Sequence, residues 1–270
     1  MIKRTLLSLL ASFAFAAPAA ATNPYAEMVR LEVLPGWHQA NGTHIAALRI
    51  TLAPGWKTYW RAPGDAGIPP SIRWAGSRNL TNATPQWPTP VVFSQNGMRS
   101  VGYKHELILP LVLTPQNVGK PITLKGQLQI GICNDICVPA DLSFDLSLPQ
   151  GATRPDPAIA SALASQPFSG DKAGLSAVHC AVSPTADGLL LSADITLPSA
   201  GAEEYAVVET ADPQVWVAEA ETSRTGNRLH VETQLMHVEG GAFALDRSGI
   251  RITVLGTRHA VDIQGCPAAP

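Results

Sequence analysis

The chain is 270 residues long, with 46% hydrophobic residues, 15% charged residues and a formal net charge of −2. A globular domain is typically about 25% charged. The low charge and the lack of any basic run exclude a nucleic-acid partner, whose footprint is a basic patch, and the apolar content argues against disorder.

The first 21 residues read as a secretory signal peptide. Lys3 and Arg4 form a short positive region, residues 6–16 are apolar, and Ala19-Ala20-Ala21 is a small-residue cleavage site. Thr22 is then the expected mature start. The apolar stretch is short of the ~20 residues that cross a bilayer, and no later stretch reaches that length. An exported chain without a membrane span after cleavage is expected.

Strand-like alternation follows. Ile45, Ala47, Arg49 and Thr51 share one face, and Ala46, Leu48, Ile50 and Leu52 the other. Residues 107–113, 122–132, 142–148, 189–197, 229–238 and 250–255 are similar short apolar stretches. Pro35-Gly36, Pro54-Gly55, Pro63-Gly64, Asn96-Gly97 and Thr225-Gly226-Asn227 supply turn signals between them. Many short strands broken by turns, without the helices a parallel sheet needs, predict an all-β chain of antiparallel sandwiches. A turn-rich break follows residue 149. Within it, residues 158–165 have room for two helical turns, with Asp156 as N-cap and Pro157 at the first helical position. The expected organisation is a sandwich over 22–150, a linker over 151–174 and a second sandwich over 175–270.

Four cysteines survive cleavage: Cys133, Cys137, Cys180 and Cys266. An exported protein holds such thiols in disulfides or uses them in redox chemistry. Their positions suggest a near pair, Cys133 with Cys137, and a far pair, Cys180 with Cys266. In one helical turn the near spacing brings Cα atoms to ~6 Å, within disulfide range. The chain-entropy model gives the five-residue loop about 2 kcal/mol and the 87-residue loop about 4.6 kcal/mol. The far pair therefore reads as the staple that braces the second sandwich. The near pair adds little stability, and its spacing leaves three readings open: a loop-tidying disulfide, a redox pair or a metal site. Asp135 between the thiols supplies no positive charge to lower a thiol pKa.

Residues 55–70, Gly-Trp-Lys-Thr-Tyr-Trp-Arg-Ala-Pro-Gly-Asp-Ala-Gly-Ile-Pro-Pro, are distinctive. They are followed by Trp74, by Trp87-Pro88, by Gly102-Tyr103 and by Ile132-Cys133 with Ile136-Cys137-Val138-Pro139. This order resembles the N-terminal periplasmic domain of the DsbD protein-disulfide reductase family. It is closer still to the alpha region of the related ScsB branch, whose second sandwich the second half resembles more loosely. The resemblance implies tandem immunoglobulin-like sandwiches in the periplasm and a cysteine pair that shuttles electrons. The thioredoxin-like thiol partners and a separate membrane electron donor follow from it. Carried over, Cys133 and Cys137 are the catalytic redox pair. Tyr59 matches an aromatic position beside it, and residues 93–103 occupy the place of a shielding cap, with Phe93 or Met98 as the shielding side chain. A module with inert disulfides, in assembly or copper handling, is the alternative.

No cofactor or metal is expected. The seven histidines lack zinc-type spacing. Two thiolates suit Cu(I), but no Met-rich or His-rich tract accompanies them. The tryptophans read mainly as packing groups, and Trp56, Tyr59 and Trp60 also as a candidate docking surface beside the cysteine loop.

Overall fold

The structure of the protein is a computed structural model that describes residues 27–95 and 97–268. The signal peptide expected at 1–21 lies outside the described residues, as does Asn96 of the Asn96-Gly97 turn. The first half contains β1 (Val29–His38), β2 (His44–Leu52), β3 (Lys57–Tyr59), β4 (Ser71–Arg73), β5 (Asn82–Pro85), β6 (Val91–Gln95), β7 (Met98–Lys104), β8 (Glu106–Thr114), β9 (Thr123–Cys133) and β10 (Cys137–Ser147). Helix α1 (Pro157–Ala164) and β11 (Phe168–Ser169) lead to β12 (Ala177–Pro184), β13 (Leu189–Thr196), β14 (Tyr205–Glu209), β15 (Val215–Val217), β16 (Glu221–Thr225), β17 (Arg228–His237), β18 (Arg251–Leu255) and β19 (Ala260–Gln264).

Two sandwiches result, each an immunoglobulin-like pair of sheets. In the first, the sheet β1-β2-β8-β5 faces the sheet β10-β9-β3-β7-β6, which also carries β4 on β9. Alternation puts Leu48, Ile50, Leu109, Leu111 and Leu113 of one sheet against Val101, Leu124, Leu128 and Ile132 of the other. Trp60 is enclosed with them at 0% exposure. It belongs to the core and not to the docking surface suggested by its sequence neighbours, because the chain turns inward as it leaves β3.

The second sandwich stacks β11-β19-β18-β14 on β12-β13-β17-β15, with β16 also on β17. Its core includes Leu191, Ala193, Ile195, Leu229, Val231, Ile252, Val254, Val261 and Ile263. Pairing between the named strands is antiparallel except between β11 and β19, and a parallel bridge also joins Cys180 to Ala268. Cys180 on β12 and Cys266 just after β19 are joined by a disulfide inside this core. The bond ties one sheet to the other.

Pro35-Gly36, expected as a turn, lies within β1. The register to β2 shifts between Leu34 and Trp37, and Gly36 has φ of 64°. A Cβ on Gly36 would fall 1.7 Å from the Ile45 carbonyl oxygen. The two residues form a bulge, which keeps pairing on both sides of the extra residue.

The segment expected as a linker is packed against both sandwiches. Asp156 caps α1 by accepting from the amides of Ala158 and Ile159, with Pro157 in the first turn. Ile159 is buried with Leu34, Trp37, Ile45 and Ala47 on the outer face of β1 and β2. This explains why β2 is apolar on both faces. The sandwiches also touch directly. Arg61 donates Nε and Nη2 to the Glu209 carboxylate, both at 2.9 Å, and its guanidinium lies 3.9 Å over the Trp60 ring. Arg99 pairs with Glu219 and lies 4.7 Å over the ring of Tyr205. Tyr205, Val207, Leu255 and Ala260 join the apolar cluster of the first sandwich.

Candidate functional site

β9 and β10 are paired over eleven positions, from Cys133 opposite Cys137 to Thr123 opposite Ser147. The two cysteines close the hairpin at its loop end, and Asn134, Asp135 and Ile136 form the connection. The cysteines thus lie at a connection between two strands, where the apolar stretches 122–132 and 142–148 place them. Continuous pairing runs into a loop that begins with the turn formers Asn134 and Asp135, so the thiols face each other across strands. Their Cα atoms are 4.1 Å apart and the sulfurs are bonded.

Residues directly opposed in a sheet project to the same face. Cys133 is opposed to Cys137 on one side and Lys57 on the other. Lys57 in turn is opposed to Lys104. One row therefore reads Cys137, Cys133, Lys57, Lys104 across β10, β9, β3 and β7. Ile132, one residue before Cys133, points into the core. The row thus lies on the outer face of the sheet.

A small apolar cluster covers that face. Tyr59, Phe93 and Cys133 are buried together, with Ile68 packed against them. Tyr59 is two residues beyond Lys57 and so shares its face. Its ring lies over Gly131, where a Cβ would come within 2.8 Å of the ring and 2.6 Å of Ile68. The absent side chain is what admits the ring. Thr58, pointing the other way, donates to the Gly131 carbonyl at 2.8 Å and fixes this crossing. The Tyr59 hydroxyl lies 3.1 Å from Cys137 Sγ and 3.5 Å from the Ala66 carbonyl oxygen. Burial raises its pKa above the ordinary phenol value of 10.0, so it remains a donor.

The two sulfurs have different surroundings. Cys133 is at 0% exposure, while Cys137 is exposed. A disulfide between an exposed and an enclosed cysteine is more open to an attacking thiolate on the exposed residue's side. Ile136 beside it is 73% exposed. Phe93 on β6, at the edge of the same sheet, is turned into the cluster. Met98, at 55% exposure, lies outside the cluster at the hairpin tip and does not shield the disulfide. Trp56 is half-buried against the first core.

Sequence reasoning did not single out Lys57 or Lys104. The Lys57 ammonium sits 4.5 Å from the centroid of the Phe93 ring and that of Lys104 5.9 Å from it. Burial, and then the charge of Lys104, push the Lys57 pKa below its ordinary 10.5. Lys57 lies two residues before Tyr59 in the distinctive segment, but its place beside Cys133 depends on pairing between strands far apart in the chain. Among the described residues no group of three or more His, Cys, Asp or Glu side chains is placed to hold a metal. No helix there is long and apolar enough to cross a membrane.

The family model described as thiol:disulfide interchange protein DsbD, N-terminal, matches residues 18–149. The crystal structure of the N-terminal periplasmic domain of ScsB from Proteus mirabilis is similar with a TM-score of 0.70 at 22% identity, covering 92% of this chain and 97% of that one. The reduced N-terminal domain of DsbD from Neisseria meningitidis is 20% identical over 49% of this chain and 94% of its own, with a TM-score of 0.29. No curated protein matches the chain. Residues 18–149 belong to the DsbD N-terminal domain family, and the chain as a whole has the fold of the ScsB N-terminal periplasmic domain.

Proposed function

We propose that this thiol:disulfide interchange module works in the periplasm. It passes reducing equivalents between a membrane or thioredoxin-like donor and periplasmic thiol proteins, through Cys133 and Cys137. The observation that carries the reading is the disulfide between the exposed residue Cys137 and the enclosed residue Cys133 on the outer face of the sheet. The leader-like residues 1–21 support export.

In the forward direction a donor thiolate attacks Cys137 Sγ. The Cys133–Cys137 bond breaks and Cys133 leaves as a thiolate, which then takes a proton. The donor's second thiolate attacks its own sulfur in the mixed disulfide and releases Cys137. The donor dithiol has become a disulfide, and two electrons have reached this chain. Transfer onward repeats the steps in reverse roles, with Cys137 attacking the disulfide of a target and Cys133 resolving the intermediate. Tyr59 holds its hydroxyl against Cys137 and is placed to donate to the thiolate formed there. Phe93 and Ile68 keep stray thiols from Cys133.

The test is the reduction potential of the near pair, with Cys180–Cys266 as internal control, and trapping with Cys133→Ala. A covalent complex between that variant and a thioredoxin-like protein is expected. A near-pair potential below about −300 mV, typical of structural disulfides, together with no reduction by thioredoxin-like proteins, overturns the reading.

A further inference from the structure

Attack at the exposed sulfur has a consequence for the enclosed one. The bond breaks toward Cys133, so a full negative charge appears on a sulfur packed among Tyr59, Phe93 and Ile68. An apolar enclosure disfavours the charged form and raises the pKa of a thiol. A leaving thiol of higher pKa leaves more slowly. The site therefore needs a positive charge close to Cys133 and out of the path of the partner.

The row on the sheet face supplies one. Lys57 is the direct cross-strand neighbour of Cys133 on the side away from Cys137. Opposed residues have Cβ atoms about 4.5–5.5 Å apart, and a lysine stem spans that distance with reach to spare. The ammonium rests over the ring of Phe93, which belongs to the same buried cluster as Cys133. Lys104 follows in the same row. Two ammonium groups beside one ring repel each other, and burial adds to the cost for Lys57. A negative charge arising next to them relieves both penalties. The charged and titratable groups facing the sulfurs are Lys57 and Tyr59 on β3, Lys104 on β7 and Asp135 on the loop. Asp135 is exposed to solvent.

We propose that Lys57, supported by Lys104, is a positioning residue whose ammonium stabilises the Cys133 thiolate released when the disulfide opens. This rests on the exchange reading above. Attack forms a bond between the partner's sulfur and Cys137, and the electron pair of the broken bond stays on Cys133. Lys57 holds that charge until a proton arrives from water.

The experiment separates the charge from the stem. In a Cys137→Ser background, Cys133 is a lone thiol whose thiolate absorbance can be followed across pH. Lys57→Met is expected to raise the midpoint by about one unit or more, and Lys57→Arg to keep it near that of the parent. In the disulfide form, reduction of Lys57→Met by dithiothreitol should be about threefold to tenfold slower, with Lys57→Arg close to the unmodified protein. Equal midpoints and equal rates for lysine and methionine overturn the proposal. So does a loss shared by methionine and arginine, which marks a packing role. If thioredoxin-like proteins fail to reduce the unmodified pair, the exchange reading fails, while the titration still decides what Lys57 does.

Discussion

The hydroxyl of Tyr59 lies 3.1 Å from Sγ of Cys137, although the two residues are separated by 78 positions. The ring is fixed by the missing side chain at Gly131, and the hydroxyl is thereby aimed at the more exposed sulfur. Tyr59→Phe removes only the oxygen. Because a hydrogen bond to a charged group contributes about 1.5–3 kcal/mol, exchange through the Cys137 thiolate should slow by roughly tenfold or more. Folding stability should change by no more than about 1 kcal/mol. Stopped-flow reduction and a urea titration check the two halves; an unchanged rate would show that the hydroxyl is idle.

Phe93 tests the shield. Its side chain is buried in one cluster with Tyr59 and Cys133 on the outer face of the sheet. Phe93→Ala should open a path to Cys133 and make reduction by glutathione several-fold faster. Loss of the ring should lower stability by about 3 kcal/mol, the low end for removing a buried phenylalanine. Met98→Ala is the control. It should leave the rate unchanged, because Met98 lies outside the cluster.

The two disulfides should differ in their effect on stability. Replacing Cys180 and Cys266 together by alanine is expected to cost about 2–5 kcal/mol, since the bond closes a long loop between two sheets. Replacing Cys133 and Cys137 together should cost only about 2 kcal/mol. Denaturant midpoints of the two double variants measure the difference. Thiol mapping that found Cys180 or Cys266 free in exported protein would contradict the bracing role.

His44 gives the fold a dependence on acid. Burial lowers its pKa from the ordinary 6.5; its contact with the Pro35 carbonyl partly opposes the shift, and His38 adds to it. Below pH 6.5 the unfolded chain binds a proton that the folded chain resists. Stability from this group is therefore complete above the unfolded value and is lost as pH falls through it. The loss is at most about 1.4 kcal/mol per pH unit. Urea midpoints between pH 7 and pH 5 should fall more steeply for the parent than for His44→Gln.

Much of this protein was legible in one dimension. Strand alternation, the capped helix at Asp156 and the turn at Gly226-Asn227 depend on neighbours a few residues apart, which local sterics and hydrogen bonding determine. The residues 55–70 and the Cys133–Cys137 spacing carried the family resemblance for the same reason, since each is a short contiguous pattern. The bulge at Gly36 was not legible, because a Pro-Gly pair marks a turn unless a partner strand holds both of its flanks in register. Whether Trp60 packs inside or joins a docking surface was open in the sequence, because its orientation depends on how the chain leaves a three-residue strand; it packs inside. The spacing of the cysteines showed only that they could meet; pairing over eleven positions is what sets them opposite each other. Only the tertiary structure could put Cys137, Cys133, Lys57 and Lys104 in one row, or turn that row away from the core. Lys57 is brought beside Lys104 and beside Cys133, each far from it in the chain, by sheet register, and register is a property of the assembled sheet that no single strand carries.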